Sequence, residues 1–548
     1  MARYTPSGQV TTIPQNQAEF EKIQTAIDDT LSRKGDTPNG MEADLDMNSN
    51  RILNLPAPSA LTEPLRLSDL DSFLGGNLSI DLSSVTKVID NVDTMKGDST
   101  LNSGDVVLCK KYYSGGDLVE GLIYEFQSSG TADGYIDHAA ANGIAKLITT
   151  GEINVKQAGA KGDGIQNDQP FIQACIDRVK GTSGTTSGIV FMPAGIYRTD
   201  SEILLDGSVK LYGERLGTVL QPNSETFSVI RIEAASDFIM SYWEISDLYI
   251  RYASQASDSR AIGIQLDDSG GSNRFPYSGA IKNVRIQNPY IGFKDDTVAF
   301  DIILEQVAVY TPYQSAFLCN KTASTMYTFI NCAAFTSTAN SHSFNLTGLR
   351  YLKMVGCAVD GLIGSNSALR LVSCNGVIET LDIEQCYTDS STGLITLSGC
   401  NININGCRFD DNSLSANDSG VIYTTSNTKL LLNSTVVANT ATTATGRSSA
   451  LSVSGSTDSV ILMNNTLEAP TGTGTPKEVV DFGFKTTELG ADGLSLAGGE
   501  TVQKSGAGTP EGSVTAKVGS LFVRTDGGAG STLYVKESGT GNTGWVAK

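Results

Sequence analysis

Residues Gly159 to Leu205 read GAKGDGIQNDQPFIQACIDRVKGTSGTTSGIVFMPAGIYRTDSEILL, and the order of elements within them decides the fold. A polar, glycine-rich loop leads to Asn167 and Asp168, either of which suits a helix N-cap. Pro170 follows in the first turn, where a missing N–H does no harm. Phe171, Ala174, Cys175 and Val179 give the helix one apolar face, and Gly181 ends it. After a Gly/Ser/Thr loop come strands at Ile189 to Phe191, Ile196 to Thr199 and Ile203 to Leu205, with a Pro193-Ala194-Gly195 turn between the first two.

GAKGDG, followed by Asn167-Asp168, a short helix and VFMPAGIYRT (Val190 to Thr199), resembles the opening of pectate-lyase-like right-handed β-helices, above all those of bacteriophage tailspikes and tail fibres. The resemblance implies a cap and first coil here rather than an active site. MEADLDMNSNRILNLPAPSALTEPLRLSDL, from Met41 to Leu70, resembles the N-terminal module of such proteins, which implies attachment to a virion. Strands and Gly-rich turns from Leu101 to Ile148 are similar to the β neck that precedes GAKGDG in them. Gly508 to Lys548 resembles a small terminal module of tail fibres, with VGSLFVRT and STLYVKE forming a hairpin around Asp526-Gly527-Gly528.

Composition agrees with a large all-β chain. The 548 residues suggest about three or four domains. Gly, Ser, Thr and Asn abound, aromatics make up 7%, and the helical patterns are short. A formal charge of -20 excludes a nucleic-acid-binding surface, since phosphates are repelled over most of it. An acidic polysaccharide meets the same repulsion unless local arginines such as Arg251, Arg274, Arg285 and Arg408 offset it. The start, MARYTPSGQVTT, lacks an apolar signal region, and no apolar run is long enough to span a membrane. A protein made without a signal peptide and not inserted in a membrane is expected. Nine cysteines without a CxxC pair sit mostly in strand patterns, where Cys acts as a small hydrophobe. Two distant histidines, His138 and His342, give little support to a triad or a metal site, so no metal and no cofactor are expected. From Asn16 to Lys34, Phe20, Ile23, Ile27 and Leu31 recur at helical spacing, a one-sided stripe that needs a partner surface.

An internal repeat runs from Trp243 to Phe482 at steps of roughly 25 to 30 residues, the range of solenoids. Its first inward column is expected to hold Ile245, Ile281, Leu304, Phe329, Met354, Ile383, Ile404, Leu432 and Met463. Three positions on come Leu248, Val284, Val307, Cys332, Cys357, Cys386, Cys407, Thr435 and Thr466, after a bend that often holds Asn or Gly. A second strand carries Leu266, Phe293, Leu318, Leu346, Leu371, Leu397, Tyr423, Val453 and Phe482. Stacking such coils about 4.8 Å apart buries one continuous core and sets outward side chains above one another.

That ladder predicts a site. The position beyond the first strand reads Arg251, Gln287, Tyr310, Phe335, Asp360, Asp389, Asp410 and Ala438, so three successive coils present carboxylates. Asp382 and Glu384 are outward on the middle coil, and Tyr310 and Phe335 offer flat faces for sugar rings. Like charges about 5 Å apart disfavour joint ionisation, the condition for a general acid beside a base. Asp is also common where strands enter turns, so solvated turn residues are the plain alternative. The expected catalytic set is Asp360, Asp389, Asp410 and Glu384, with Tyr310, Phe335, Arg408 and Asp382 binding substrate. An alternative acidic site stacks Asp267 and Asp268 on Asp295 and Asp296. Trp243 is read as core, and Tyr249 and Tyr252 as candidates for exposed aromatics.

The expected architecture is an all-β, right-handed parallel β-helix with small N-terminal helical and β modules and a small β C-terminal module, assembled as a homotrimer. Residues 1–75 form a virion-attachment module, 76–150 a neck, 151–485 the glycan-acting β-helix and 486–548 a trimerising tip. The resemblance implies a tailspike on the virion tail that binds and depolymerises a bacterial surface polysaccharide. Hydrolysis is favoured, because a lyase calls for a Lys, Arg, His or Tyr base beside a uronate. A non-catalytic adhesin and a lyase of the same fold remain as alternatives.

Overall fold

A computed structural model describes residues 17–23, 85–119, 121–149, 151–180, 188–234, 239–267, 275–335, 342–455, 457–481, 486–490, 493–496 and 501–548. The expected module at Met41 to Leu70, the later part of the first helix, Asp268, Arg274 and Phe482 lie outside these residues. The chain divides into two units, Met1–Leu70 and Asp71–Lys548. In the first, residues 17–23 are helical, Lys22 pairs with Glu19 at 3.1 Å, and Phe20 is 71% exposed.

The second unit opens with a five-stranded sheet built from Val85–Asn91, Val106–Lys111, Ile123–Gln127, Gly143–Leu147 and His138–Ala140. A 3-10 turn at Val155–Ala158 then ends on Gly159 at φ 104, where a Cβ would lie 2.7 Å from the Tyr112 ring. The expected helix forms at Gln169–Val179 and packs against Gly188–Phe191 and Ile203–Leu205. Its buried side chains are Ile172, Cys175 and Ile176, so the inward face is turned from the expected stripe, and Phe171, Ala174 and Val179 flank it. Asp168 holds the N-cap position without capping. Its buried carboxylate instead accepts hydrogen bonds from Lys161 N (2.8 Å) and Gly162 N (3.0 Å), which fastens the GAKGDG loop to the helix.

The body is a parallel β-helix, the fold expected from the sequence. Three long sheets wrap one core. Sheet 1 includes Glu244–Ser246, Phe300–Glu305, Leu352–Val355 and Asn401–Asn405; sheet 2 has 12 strands, among them Tyr249–Arg251, Ala358–Asp360 and Arg408–Asp410; sheet 3 has 11, among them Ile262–Leu266 and Leu369–Val372. A fourth, five-stranded sheet of two-residue strands, such as Ile363–Gly364 and Tyr387–Thr388, fills the side beyond sheet 2 in the later coils. Inside, Phe317 and Phe344 stack at 4.5 Å and Phe329 meets both edge-on at 5.8 Å. Burying each such ring contributes about 1.5–3 kcal/mol. All nine cysteines are buried thiols.

The expected bend between sheets 1 and 2 is a left-handed corner repeated along the stack, occupied for example by Asn283 (φ 53), Asn331 (φ 51), Gly356 (φ 64), Gly406 (φ 63) and Asn464 (φ 52). Asn and Gly tolerate this conformation best, hence their recurrence. A second corner of the same kind follows sheet 2, at Asn288 (φ 58), Gly361 (φ 76), Gln385 (φ 53) and Asp411 (φ 51).

The paired corners explain the largest departure from the expected register, at residues 375–398. In sheet 1, Ile378 and Leu462 occupy the column where Ile383 and Met463 were expected. Ile383 lies in sheet 2, between Val359 and Phe409. Each corner is a strand, a left-handed residue and an inward apolar residue, so LDIE-Gln385-Cys386 mimics LKMV-Gly356-Cys357 although the equivalent of Gly356 is Thr380 (φ 53). In sheet 3, Phe293 stands in the column of Ile264 and Phe317, while Asp295 pairs with Leu266 and Cys319 and is itself buried. Leu318 falls outside the core with Ile262 and Ile291.

At the C-terminal end, Leu521–Arg524 and Leu533–Lys536 form the expected antiparallel hairpin, and Trp545–Ala547 adds a third strand. Phe522, Tyr534, Trp545 and Ala516 make its own small core.

Candidate functional site

The outward face of sheet 2 carries two ladders. One runs Tyr249, Arg285, Ala308, Ala333, Ala358, Asp382 and Arg408; the other runs Arg251, Gln287, Tyr310, Phe335, Asp360, Glu384 and Asp410. The face thus passes along the coils from arginines, through aromatics beside a floor of alanines, to acids. Tyr310 and Phe335 stack with ring centres 4.6 Å apart and planes 16° from parallel. The alanines at 308, 333 and 358 set only small side chains beside this stack, and both of its rings are half-buried.

Three acids therefore do lie in register, but they are Asp360, Glu384 and Asp410. Asp389 is the correction. It follows the strand Tyr387–Thr388 of the short fourth sheet, bonded through its N–H to Gly364 O at 3.2 Å, one corner beyond the acid ladder. The five-residue offset between Glu384 and Asp389 is the spacing of the two look-alike corners.

The three carboxylates differ in their surroundings. Asp410 is almost buried, hydrogen-bonded by Asn439 Nδ2 at 2.8 Å and ion-paired with Arg408. The Asn439 hydrogen bond, with help from Arg408, holds its carboxyl below the usual carboxylate range. Asp360 and Glu384 make no side-chain hydrogen bond or ion pair with the described residues. Asp382 has one buried carboxylate oxygen, Oδ1, without a hydrogen-bond partner among the described residues. Arg408, expected to bind substrate, is tied instead to Asp410.

The alternative acidic site is differently made. Asp295 is buried, receiving Tyr327 Oη at 2.5 Å and Thr297 N at 2.9 Å, and burial together with this charge pushes the Tyr327 phenol well up. Asp296 pairs with Lys294 at 2.6 Å and is hydrogen-bonded by Gln265 and Asn320. Asp267 faces Arg231 at 3.8 Å. The expected stacking of surface acids is thus corrected at Asp295, which points into the core because Leu266 rather than Asp267 is its register partner.

Trp243 is core, as read. Tyr252 is not exposed: it is 3% accessible and donates to Ile262 O at 3.1 Å. Tyr249 is half-buried on the ladder. Asn439 went unnoticed in the sequence, although its place one coil after Asp410, at the left-handed corner itself (φ 49), is where a ladder reading looks for a neighbour.

The family described as Rhamnogalacturonase A/epimerase, pectate lyase-like, matches residues 152–290. The gp42 tailspike of Acinetobacter phage vb_AbaP_AS12 is similar in fold, with a TM-score of 0.56 and 16% identity over 80% of this chain and 83% of that one. Mannuronan C5-epimerase AlgE3 of Azotobacter vinelandii is 32% identical over 105 residues, 18% of this chain and 5% of that protein. Alginate lyase 7 of the same organism is 29% identical over 148 residues, 25% of this chain and 17% of that protein. The chain thus spans a small part of these two relatives. The chain shares the parallel β-helix fold of that tailspike. Among the described residues, no helix is long and apolar enough to cross a membrane.

Proposed function

We propose that the protein is a phage tailspike whose β-helix binds a bacterial surface polysaccharide along sheet 2 and hydrolyses it at Asp360, Glu384 and Asp410. The observation that carries this reading is the register of two carboxylates without partners among the described residues and a third held charged, beside an aromatic stack. Asp410, kept ionised by Asn439 and Arg408, suits the base or nucleophile. A neighbouring carboxyl then protonates the leaving oxygen. If Glu384, one coil of about 4.8 Å away, is that acid, the spacing suits retention; if Asp360, two coils or about 9.6 Å away, it suits inversion.

Elimination is the second reading, favoured by Tyr249 and Tyr310 beside Arg251 and Arg285 on the same face. Incubation with capsule and lipopolysaccharide from a host panel tests both. New saturated reducing ends support hydrolysis, an unsaturated product supports elimination, and binding without cleavage leaves an adhesin.

Assembly as a homotrimer on the virion tail, with attachment through residues 1–75, belongs to the same proposal. It is supported by the exposed Phe20 and by the outward apolar residues Val377, Leu431 and Ile461 of sheet 1. Light scattering of the intact chain at micromolar concentration is expected to give a trimer; a monomer overturns this part.

A further inference from the structure

We propose that the glycan is anionic and that Arg251 and Arg285 together bind one of its carboxylates, upstream of the acids; this rests on the reading of sheet 2 as a glycan groove. Both guanidinium groups lie over the same ring, Tyr249, at 5.8 Å and 5.2 Å from its centre. Arg285 is also 4.1 Å from the centre of the Tyr310 ring. Two positive charges are thereby brought together on adjacent coils. Arg251 has a hydrogen bond to Gln221 at 3.0 Å, yet neither arginine has a carboxylate partner among the described residues.

Arg350 and Arg370 also lack a carboxylate partner among the described residues, but they do not meet over one ring as Arg251 and Arg285 do, in a chain where acids outnumber bases 59 to 39. Arg198, Arg231, Arg260, Arg408 and Arg447 all have carboxylate partners. Arg285 Nε is moreover buried with no acceptor. Rings against the guanidinium faces leave the N–H edges to do the binding, and that edge geometry fits a carboxylate in two parallel hydrogen bonds. The pair also answers the repulsion that the overall charge imposes on an acidic glycan.

From Arg285 to Asp360 is three coils, about 14 Å along the stack. The recognised acidic sugar is therefore not the one at the three acids. That separation suits hydrolysis there, where no uronate carboxylate needs neutralising.

The test uses the full chain and the surface polysaccharide it binds from the host panel, before and after carbodiimide and borohydride reduction of the glycan carboxylates to alcohols. Reduction leaves the protein untouched. It is expected to weaken binding by about 10- to 100-fold. Arg251→Gln and Arg285→Gln should weaken binding of the native glycan comparably and make little difference to the reduced one. A bound glycan without carboxylates, or one whose affinity survives reduction, overturns the proposal while leaving the groove. Loss on reduction with unchanged binding by both variants overturns the assignment to these arginines. If no polysaccharide binds at all, the groove reading falls and takes this one with it.

Discussion

Sheet 2 presents Asp360, Glu384 and Asp410, and sheet 3 contains Asp267, Asp295 and Asp296, the same chemistry laid down by the same coil repeat. On sheet 3 each acid meets its complement: Lys294 beside Asp296, Arg231 across from Asp267, and the Tyr327 hydroxyl over the inward Asp295. On sheet 2, among the described residues, only Asp410 has such partners, and Asp360 and Glu384 have none. A carboxylate ladder is thus not informative by itself. The neighbours decide: an acid with a donor or cation in reach has a structural reason to be where it is and an unpartnered one at the end of an aromatic strip does not, and Asp410 differs from the sheet 3 acids in standing in register with two unpartnered carboxylates.

The largest effect should come from breaking sheet 2. Glu384→Gln and Asp410→Asn are each expected to lower turnover by about 10² or more in a reducing-end assay, with glycan binding retained; thermal unfolding should be unchanged in Glu384→Gln and somewhat earlier in Asp410→Asn, which loses the charge that pairs with Arg408. Asp389→Asn should leave turnover at the parental rate. Loss at Asp389 with none at Glu384 would restore the other register.

On sheet 3 the expected damage is to stability. Asp295→Ala removes the acceptor of a buried phenol and should cost about 2–3 kcal/mol, read as a lower urea midpoint, without changing turnover per folded molecule. The aromatic strip sharpens the comparison further. Phe335→Ala removes one face of the stack and should weaken glycan binding by about tenfold, with kcat less affected than KM.

The smallest effect concerns pH. The folded carboxyl of Asp410 lies below its ordinary 3.8, so its contribution to stability is present above that value and is lost only as pH falls through the lower folded one. Activity that needs this carboxylate should persist at the ordinary carboxylate pKa and fall only as pH drops through the lower folded value. Asn439→Ala should move that acid limb of the rate profile upward.

The cap, the coil repeat and the all-β class were legible because apolar residues recur where the core requires them, and because GAKGDG and its helix form one ordered segment. The corner between sheets 1 and 2 was legible through Asn and Gly. Register in the coil of residues 375–398 was not, since Cys386 after Gln385 imitates Cys357 after Gly356, and a five-residue slip costs nothing in hydrophobicity. That slip put Asp389 in place of Glu384. The inward turn of Asp295 was hidden for a different reason: besides the nearby Thr297 N–H, the acid in this apolar column is met by Tyr327, 32 residues later, a pairing no local pattern announces.

One side-by-side measurement bears most directly on the contrast between the sheets: the rate of reducing-end release from the host surface polysaccharide by two multiple variants. Asp360→Asn/Glu384→Gln/Asp410→Asn should bind the glycan and release almost nothing, while Asp267→Asn/Asp296→Asn should cleave at close to the parental rate. Parental cleavage by the triple variant, or its loss in the double variant with the fold intact, would contradict the assignment of the chemistry to sheet 2.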